Sequence, residues 1–221
     1  MSRIGMHLMS VVLLAAAVTV LFPFQSSVHA YEITWSVFNK GAEYFDKIQS
    51  DPKTLVQEYC DAEFKGAQDI RIKVVKLDPK KASEKEAASD RGDKHGKVIN
   101  FSSDPLVVVD SYVIRDVQVS KDTAEATIAY RRLASTDGIA GKRYMADRKS
   151  NDIVKLSLSF DGSRWWITAP PLPRVSKWAL IEYSERIISS MDSLIKAGKA
   201  SDGQKKYYLS NKDIVAFLRS L

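Results

Sequence analysis

Apolar residues recur along this chain with a helical period at both ends and with a period of two in the middle. Trp35, Phe38, Ala42, Phe45 and Ile48 are spaced by three or four, the stripe of an amphipathic helix over residues 33–49. Ser50-Asp51-Pro52 interrupts it, and proline at the first turn with Ser50 or Asp51 as cap starts a second helix over 52–66. Its apolar face carries Leu55, Val56, Tyr59, Cys60 and the stretch 62–64, with Glu58, Asp61, Glu63 and Lys65 expected in water. Ile70, Ile72 and Val74 alternate, which predicts a short strand or extended connection over 70–77.

The centre reads as strands. Residues 106–119 form a long one, turned by Ser120-Lys121-Asp122 into an alternation of Ala124, Ala126, Ile128 and Tyr130. Val154, Leu156, Leu158 and Phe160 alternate in a third strand, and Asp161-Gly162 turns the chain into a fourth over 164–169. Neighbours joined this way make one antiparallel sheet, with 135–150 as a long basic connection that Tyr144-Met145 extends into a strand. Pro170-Pro171-Leu172-Pro173 ends the sheet, since proline cannot donate to a ladder. Ser176 then caps a helix carrying Trp178, Ile181, Ile188, Met191 and Ile195 up to Gly198, and a last short helix starts at Ser210, three residues before Asp213. The fold class is α+β: N-terminal helices, one antiparallel sheet and a C-terminal helical extension.

Two segments stand outside this pattern. Residues 1–30 have the form of a secretory signal peptide: Arg3 near the start, an apolar run over 11–22, and Val28-His29-Ala30 before a mature start at Tyr31. A run of 12 residues falls short of the about 20 that span a bilayer core. The reading is an exported chain, periplasmic in a bacterium rather than fully secreted. Residues 78–97 contain no Val, Ile, Leu, Met, Phe, Tyr or Trp but six basic and five acidic side chains, which predicts a mobile charged loop.

The order of elements has a counterpart. A helix reading Pro52-Lys53-Thr54-Leu55-Val56-Gln57-Glu58-Tyr59-Cys60-Asp61-Ala62-Glu63-Phe64-Lys65-Gly66, then a meander, then Asp161-Gly162-Ser163-Arg164-Trp165-Trp166-Ile167, resembles the NTF2-like (cystatin-type α+β) superfamily. The resemblance covers residues 51–173 and implies a helix laid across a strongly curved sheet around a cone-shaped pocket. It divides the chain into a signal peptide (1–30), an NTF2-like domain (31–175) and a helical extension (176–221) that either caps the pocket or packs on the sheet's other face. That superfamily hosts ketosteroid-isomerase-like enzymes, dehydratases, ligand-binding proteins and interaction modules, so the fold does not select among them.

Composition removes several chemistries. One Cys closes no internal disulfide, and the mature chain keeps one histidine, His95, inside the charged loop, where it cannot serve a Ser-His-Asp or Cys-His site. No metal site and no cofactor are expected: Cys60 lies on an apolar helix face, and Gly138-Ile139-Ala140-Gly141-Lys142-Arg143 lacks both the spacer and the Ser or Thr of a phosphate loop. Without Arg3, 32 basic side chains face 27 acidic ones, a net charge of +5. The excess gathers in residues 131–149, six basic against two acidic, and 198–221, five against two. An exported chain seldom meets nucleic acid. The expected partners are therefore a small apolar ligand, an envelope protein, or an anionic surface met through Lys142, Arg143, Arg148 and Lys149.

Two candidate sites remain. Tyr59, Phe64, Tyr112, Tyr130, Phe160 and Trp166 either fill the core or, where the cone stays open, line a ligand pocket. Proton transfer of the isomerase kind needs a carboxylate in that cone with a phenol beside it. Asp110 with Tyr59 or Tyr112 is the available set, and Asp110 either faces the cone or ends a bulge in solvent. The leading expectation is a non-catalytic binding domain, with the proton-transfer enzyme as its rival.

Overall fold

The computed structural model describes residues 40–67, 69–76, 105–136 and 145–221, with the backbone alone over 145–150. The signal-peptide segment, the charged loop 78–97 and the start of the expected first helix lie outside these residues.

The first helix, α1, is Ala42–Ile48 rather than a continuation from residue 33, because Gly41 is extended (φ −67°, ψ 166°) and serves as its N-cap. Next, α2 (Pro52–Phe64) starts as its sequence predicts, with Pro52 in the first turn and the Asp51 carboxylate accepting from Thr54 N–H at 2.8 Å. It stops at Gly66, whose φ of +82° suits glycine. The Ala67 and Gly66 N–H groups donate to the Ala62 and Glu63 carbonyls at 2.8 and 3.0 Å. Where a short strand or extended connection is expected over 70–77, residues Ile70–Val74 form a short helix, α3, after which Val75 is extended and forms a parallel bridge to Ile167. Five residues are too few for a helical period to show against a chance alternation.

Four strands follow: β1 (Leu106–Ser120), β2 (Thr123–Thr136), β3 (Met145–Phe160) and β4 (Trp165–Ala169). The two-residue turn Lys121-Asp122 places Lys121 at φ +49°, and Gly162 at φ +96° turns β3 into β4. β2 and β3 run further than their alternation suggests, since Ser135 pairs Met145 and Ala134 pairs Ala146, so much of the expected connection is strand. The sheet is also mixed, not purely antiparallel. After the proline segment the chain rejoins it as β5 (Arg174–Ser176), parallel to β1 with Val108 opposite Val175, giving the order β4-β3-β2-β1-β5. Three residues behind a proline run carry no alternation that would predict this strand.

The sheet is strongly curled into a half-barrel. Register shifts in the β1–β2 ladder at Val108/Val109, Val109/Ser111 and Ile114/Asp116, and in the β2–β3 ladder at Arg132/Ala134, bend the three long strands where extra residues enter. One face holds the larger core, in which Leu55, Val56, Tyr59 and Cys60 of α2 meet Val107, Val109, Ile128, Tyr130, Leu156, Leu158, Trp165 and Ile167.

The other face is covered near β5 by two C-terminal helices, α4 (Lys177–Lys196) and α5 (Asp202–Ser220). Leu106, Val108, Leu133, Ala134 and Val175 pack there against Ala179, Leu180, Ile181, Ile214, Val215 and Leu218. The C-terminal helices therefore lie on the opposite face from α1–α3. Ser176 caps α4 as expected, accepting from Ala179 N–H at 3.1 Å, but Trp178 is 61 % exposed, because the buried stripe runs through Ala179, Leu180, Ile181 and Ser184. The last helix starts nine residues before the predicted Ser210, at a capping box of Ser201 and Gln204.

Leu218 is completely buried in this second core. Leu218→Ala is expected to lower the unfolding free energy by about 2–5 kcal/mol, measured in urea, with fluorescence and circular dichroism transitions coinciding. A separate early loss of helix would show that the second core is not part of the cooperative unit.

Candidate functional site

On α2, Tyr59, Cys60 and Glu63 lie three or four residues apart and share the face that meets the sheet. Glu63, expected in water, is 5 % exposed. Its Oε1 accepts from the Tyr59 hydroxyl at 2.6 Å and from Arg71 Nη1 of α3 at 2.8 Å, and both terminal nitrogens of Arg71 donate to the Pro171 carbonyl at 3.1 Å. The pair explains the burial: a carboxylate in this apolar interface is tolerated because a guanidinium and a phenol stand in for water. Burial pushes the Tyr59 phenol well above its ordinary range, against the opposing pull of the Arg71 charge.

A second polar group borders the first. The Tyr130 hydroxyl donates to Cys60 Sγ at 3.5 Å, and the Arg174 guanidinium lies 5.1 Å from the centre of the Tyr130 ring. Arg174 also donates to Asp152 Oδ2 and to the Leu172 carbonyl, each at 2.7 Å. Burial raises the Tyr130 phenol and pushes the Cys60 thiol up to about 12. Among the described residues, Glu63 Oε2 and Arg174 Nε are buried without a hydrogen-bond partner, an acceptor and a donor left over.

Further out, the Tyr112 hydroxyl donates to Asp61 Oδ1 at 2.5 Å, while Gln57 Nε2 reaches both the Tyr112 oxygen and Asp61 Oδ2 at 3.0 Å. The Phe64 ring meets Tyr112 edge-on at 5.5 Å, and Tyr112 lies 5.8 Å from Tyr130. Burial, then the hydrogen bond to Asp61, raises the Tyr112 phenol. This rim pairs an apolar ring surface with a fixed hydroxyl, carboxylate and amide.

The sequence-derived candidates are thus partly gathered. Tyr59 and Tyr130 sit inside the larger core, and Phe64, Tyr112 and Phe160 pack against it half-buried. Trp166 stands apart: its Nε1 donates to Asp161 Oδ2 at 2.7 Å with Lys76 Nζ 5.5 Å from its ring, while its neighbour Trp165 takes the core position. Adjacent residues of a strand face opposite ways, so only one of the two tryptophans can point inward.

Asp110 falls at the β1 irregularity between Val109 and Ser111 and pairs with the half-exposed Arg131 at 2.8 Å; the phenols of Tyr59 and Tyr112 are taken by Glu63 and Asp61 instead. Lys142 and Arg143 lie outside the described residues, and of Arg148 and Lys149 only the strand backbone is described.

Glu63, Arg71, Asp61, Arg174 and Asp152 carry the polar structure here and were not among those candidates. Glu63 had a signal, its place one turn after Tyr59 on an apolar face; Arg174 and Asp152 had none, being 22 residues apart in separate strands. Among the described residues, no group of three or more His, Cys, Asp or Glu is placed to hold a metal ion. No family model, curated protein or solved structure matches this chain.

Two outcomes follow from the buried pair and the buried thiol. Glu63→Gln or Arg71→Met leaves the other charge or its partners stranded and is expected to cost about 3–5 kcal/mol, whereas the double change costs no more than either single one; a double variant whose loss equals the sum of the two single losses would refute coupling. Because Cys60 holds its proton up to about 12 in the fold against an ordinary 9.0, the folded state binds the extra proton between those values. Its contribution is complete below about pH 9 and is lost as pH rises towards 12, so a Cys60→Ala variant should show a shallower alkaline fall in urea midpoint.

Proposed function

We propose that the chain is an exported, non-catalytic binding domain of the NTF2-like kind, which takes a small apolar ligand at the Phe64–Tyr112 rim. The observation that carries this reading is the occupation of the carboxylates near that face. Glu63 is held by Arg71 and Tyr59, Asp61 by Tyr112 and Gln57, Asp152 by Arg174, and Asp110 by Arg131. A general base must reach a substrate proton from an apolar setting that raises its basicity, and a carboxylate bound to a guanidinium is poorly suited to that. The same ties suit recognition, since they hold the Tyr112 ring and hydroxyl in one orientation before a ligand arrives. Export rests on the leader-like pattern of residues 1–30, with the periplasm as the destination.

The test is native mass spectrometry of the protein isolated from its own compartment, before and after denaturation. A reproducible extra mass lost on unfolding is expected, and with that compound in hand Tyr112→Ala should weaken binding about tenfold or more while Asp110→Asn leaves it unchanged. A turnover that Asp110→Asn abolishes would replace this reading with proton-transfer catalysis. A clean mass with no compound retained, and a protein captured from the envelope in its place, would move the function to a macromolecular partner.

A further inference from the structure

We infer that the outer part of the α4–α5 hairpin, from its turn along α5 to Lys212, is a docking surface for an anionic phospholipid bilayer. The helices run antiparallel: Arg219 of α5 bonds Glu185 of α4 at 2.5 Å near the sheet, and the Tyr208 hydroxyl bonds Asp192 at 3.1 Å towards the tip. The buried residues that the hairpin brings to the sheet lie in the first turns of α4 and the last turns of α5, Ala179–Ile181 and Ile214–Leu218, with Tyr183 and Ile188 packed half-buried beside them. The turn between them is drawn tight by Gly198 at φ +67°, with the Lys199 N–H donating back to the Leu194 carbonyl at 3.0 Å.

Charge collects on this end. Residues 192–213 hold five lysines against three aspartates, Asp192, Asp202 and Asp213. Lys196 is tied to Asp192 and Lys205 to Asp202, and Lys212 lies 5.2 Å from the Tyr208 ring with its charge also felt by Asp192, but Lys199 and Lys206 have no carboxylate partner among the described residues. Lys205, Leu209 and Lys212 are spaced four and three apart and so line one exposed stripe of α5, with Lys206 beside it. Leu209 is 58 % exposed and Leu194, at the tip of α4, 39 %.

The leucines decide among anionic partners. A soluble polyanion would be met by the lysines alone, whereas a bilayer surface presents phosphates and, just beneath them, acyl chains into which an exposed leucine can dip. No helix among the described residues is long and apolar enough to cross a membrane, and the tip needs only to rest in the headgroup layer. This surface is separate from the Phe64–Tyr112 rim and stands whether or not that rim binds a ligand.

The experiment is cosedimentation of the protein with vesicles of phosphatidylcholine alone or with about a third phosphatidylglycerol, comparing wild type with Lys199→Gln/Lys206→Gln/Lys212→Gln and with Leu209→Ser. All four positions are exposed, so the variants should fold, which circular dichroism checks. Any apolar N-terminal segment is common to every variant and cancels in the comparison. Wild type is expected to partition onto the anionic vesicles, the triple variant about 100-fold less at about fivefold per lysine, and Leu209→Ser several-fold less. Binding that ignores phosphatidylglycerol, or a triple variant that binds undiminished, overturns the inference. So does a Leu209→Ser variant that binds vesicles unchanged while heparin binds with the same lysine dependence, since the site would then serve a soluble polyanion.

Discussion

The arrangement around the larger core depends on one buried ion pair, Glu63 with Arg71. It ties three parts of the chain that share no backbone pairing: α2 through Glu63, α3 through Arg71, and the proline segment through the Pro171 carbonyl. Apolar contact alone would let these slide, because burial of hydrocarbon is indifferent to small shifts of register. A carboxylate and guanidinium at 2.8 Å have one good geometry, and both are too deep for water to replace the missing partner. The pair also fixes where Tyr59 points, and through the proline segment it sets the approach of Arg174 to Tyr130 and Asp152.

Around that tie the sheet divides its labour along its length. Near β5, β1 is buried on both faces, with Val107 and Val109 towards α2 and Leu106 and Val108 towards α4 and α5. Beyond the irregularity at Asp110 only one face is covered, and residues such as Val113 turn outward to 60 % exposure. A bulge at the boundary is physically apt, since an extra residue there adjusts which side chains face each way and adds the bend that curls the strand.

Much of this is legible in the sequence, for reasons that differ by element. The period of two in β2 and β3 survives because one face of each strand is apolar, and α2 announces itself through Asp51-Pro52 and a wide apolar stripe. What escaped was short or polar. In α3 the alternation of Ile70, Ile72 and Val74 imitates a strand, and the first half of α5 carries little beyond Tyr208 and Leu209 to reveal its period. The aromatic part of the site, Tyr59, Phe64, Tyr112 and Tyr130, sits on stripes that any periodicity exposes. Its charged part does not, because Glu63–Arg71 and Arg174–Asp152 are meetings of distant segments, and charge complementarity has no period along the chain.

The parallel strand β5 has a consequence for synthesis. It covers the outer edge of β1, with Val107, Val108 and Val109 opposite Arg174, Val175 and Ser176. On a ribosome, β1 emerges more than sixty residues before its last partner, so a nascent chain holding α1 to β4 still shows that edge unpaired at its most apolar stretch. Only when 174–176 and the helices behind them arrive do the ladder and the second core close together. The carboxyl-terminal fifth of the chain thus acts as a built-in clasp, and every fragment that stops at the prolines leaves a sticky border for other strands to find.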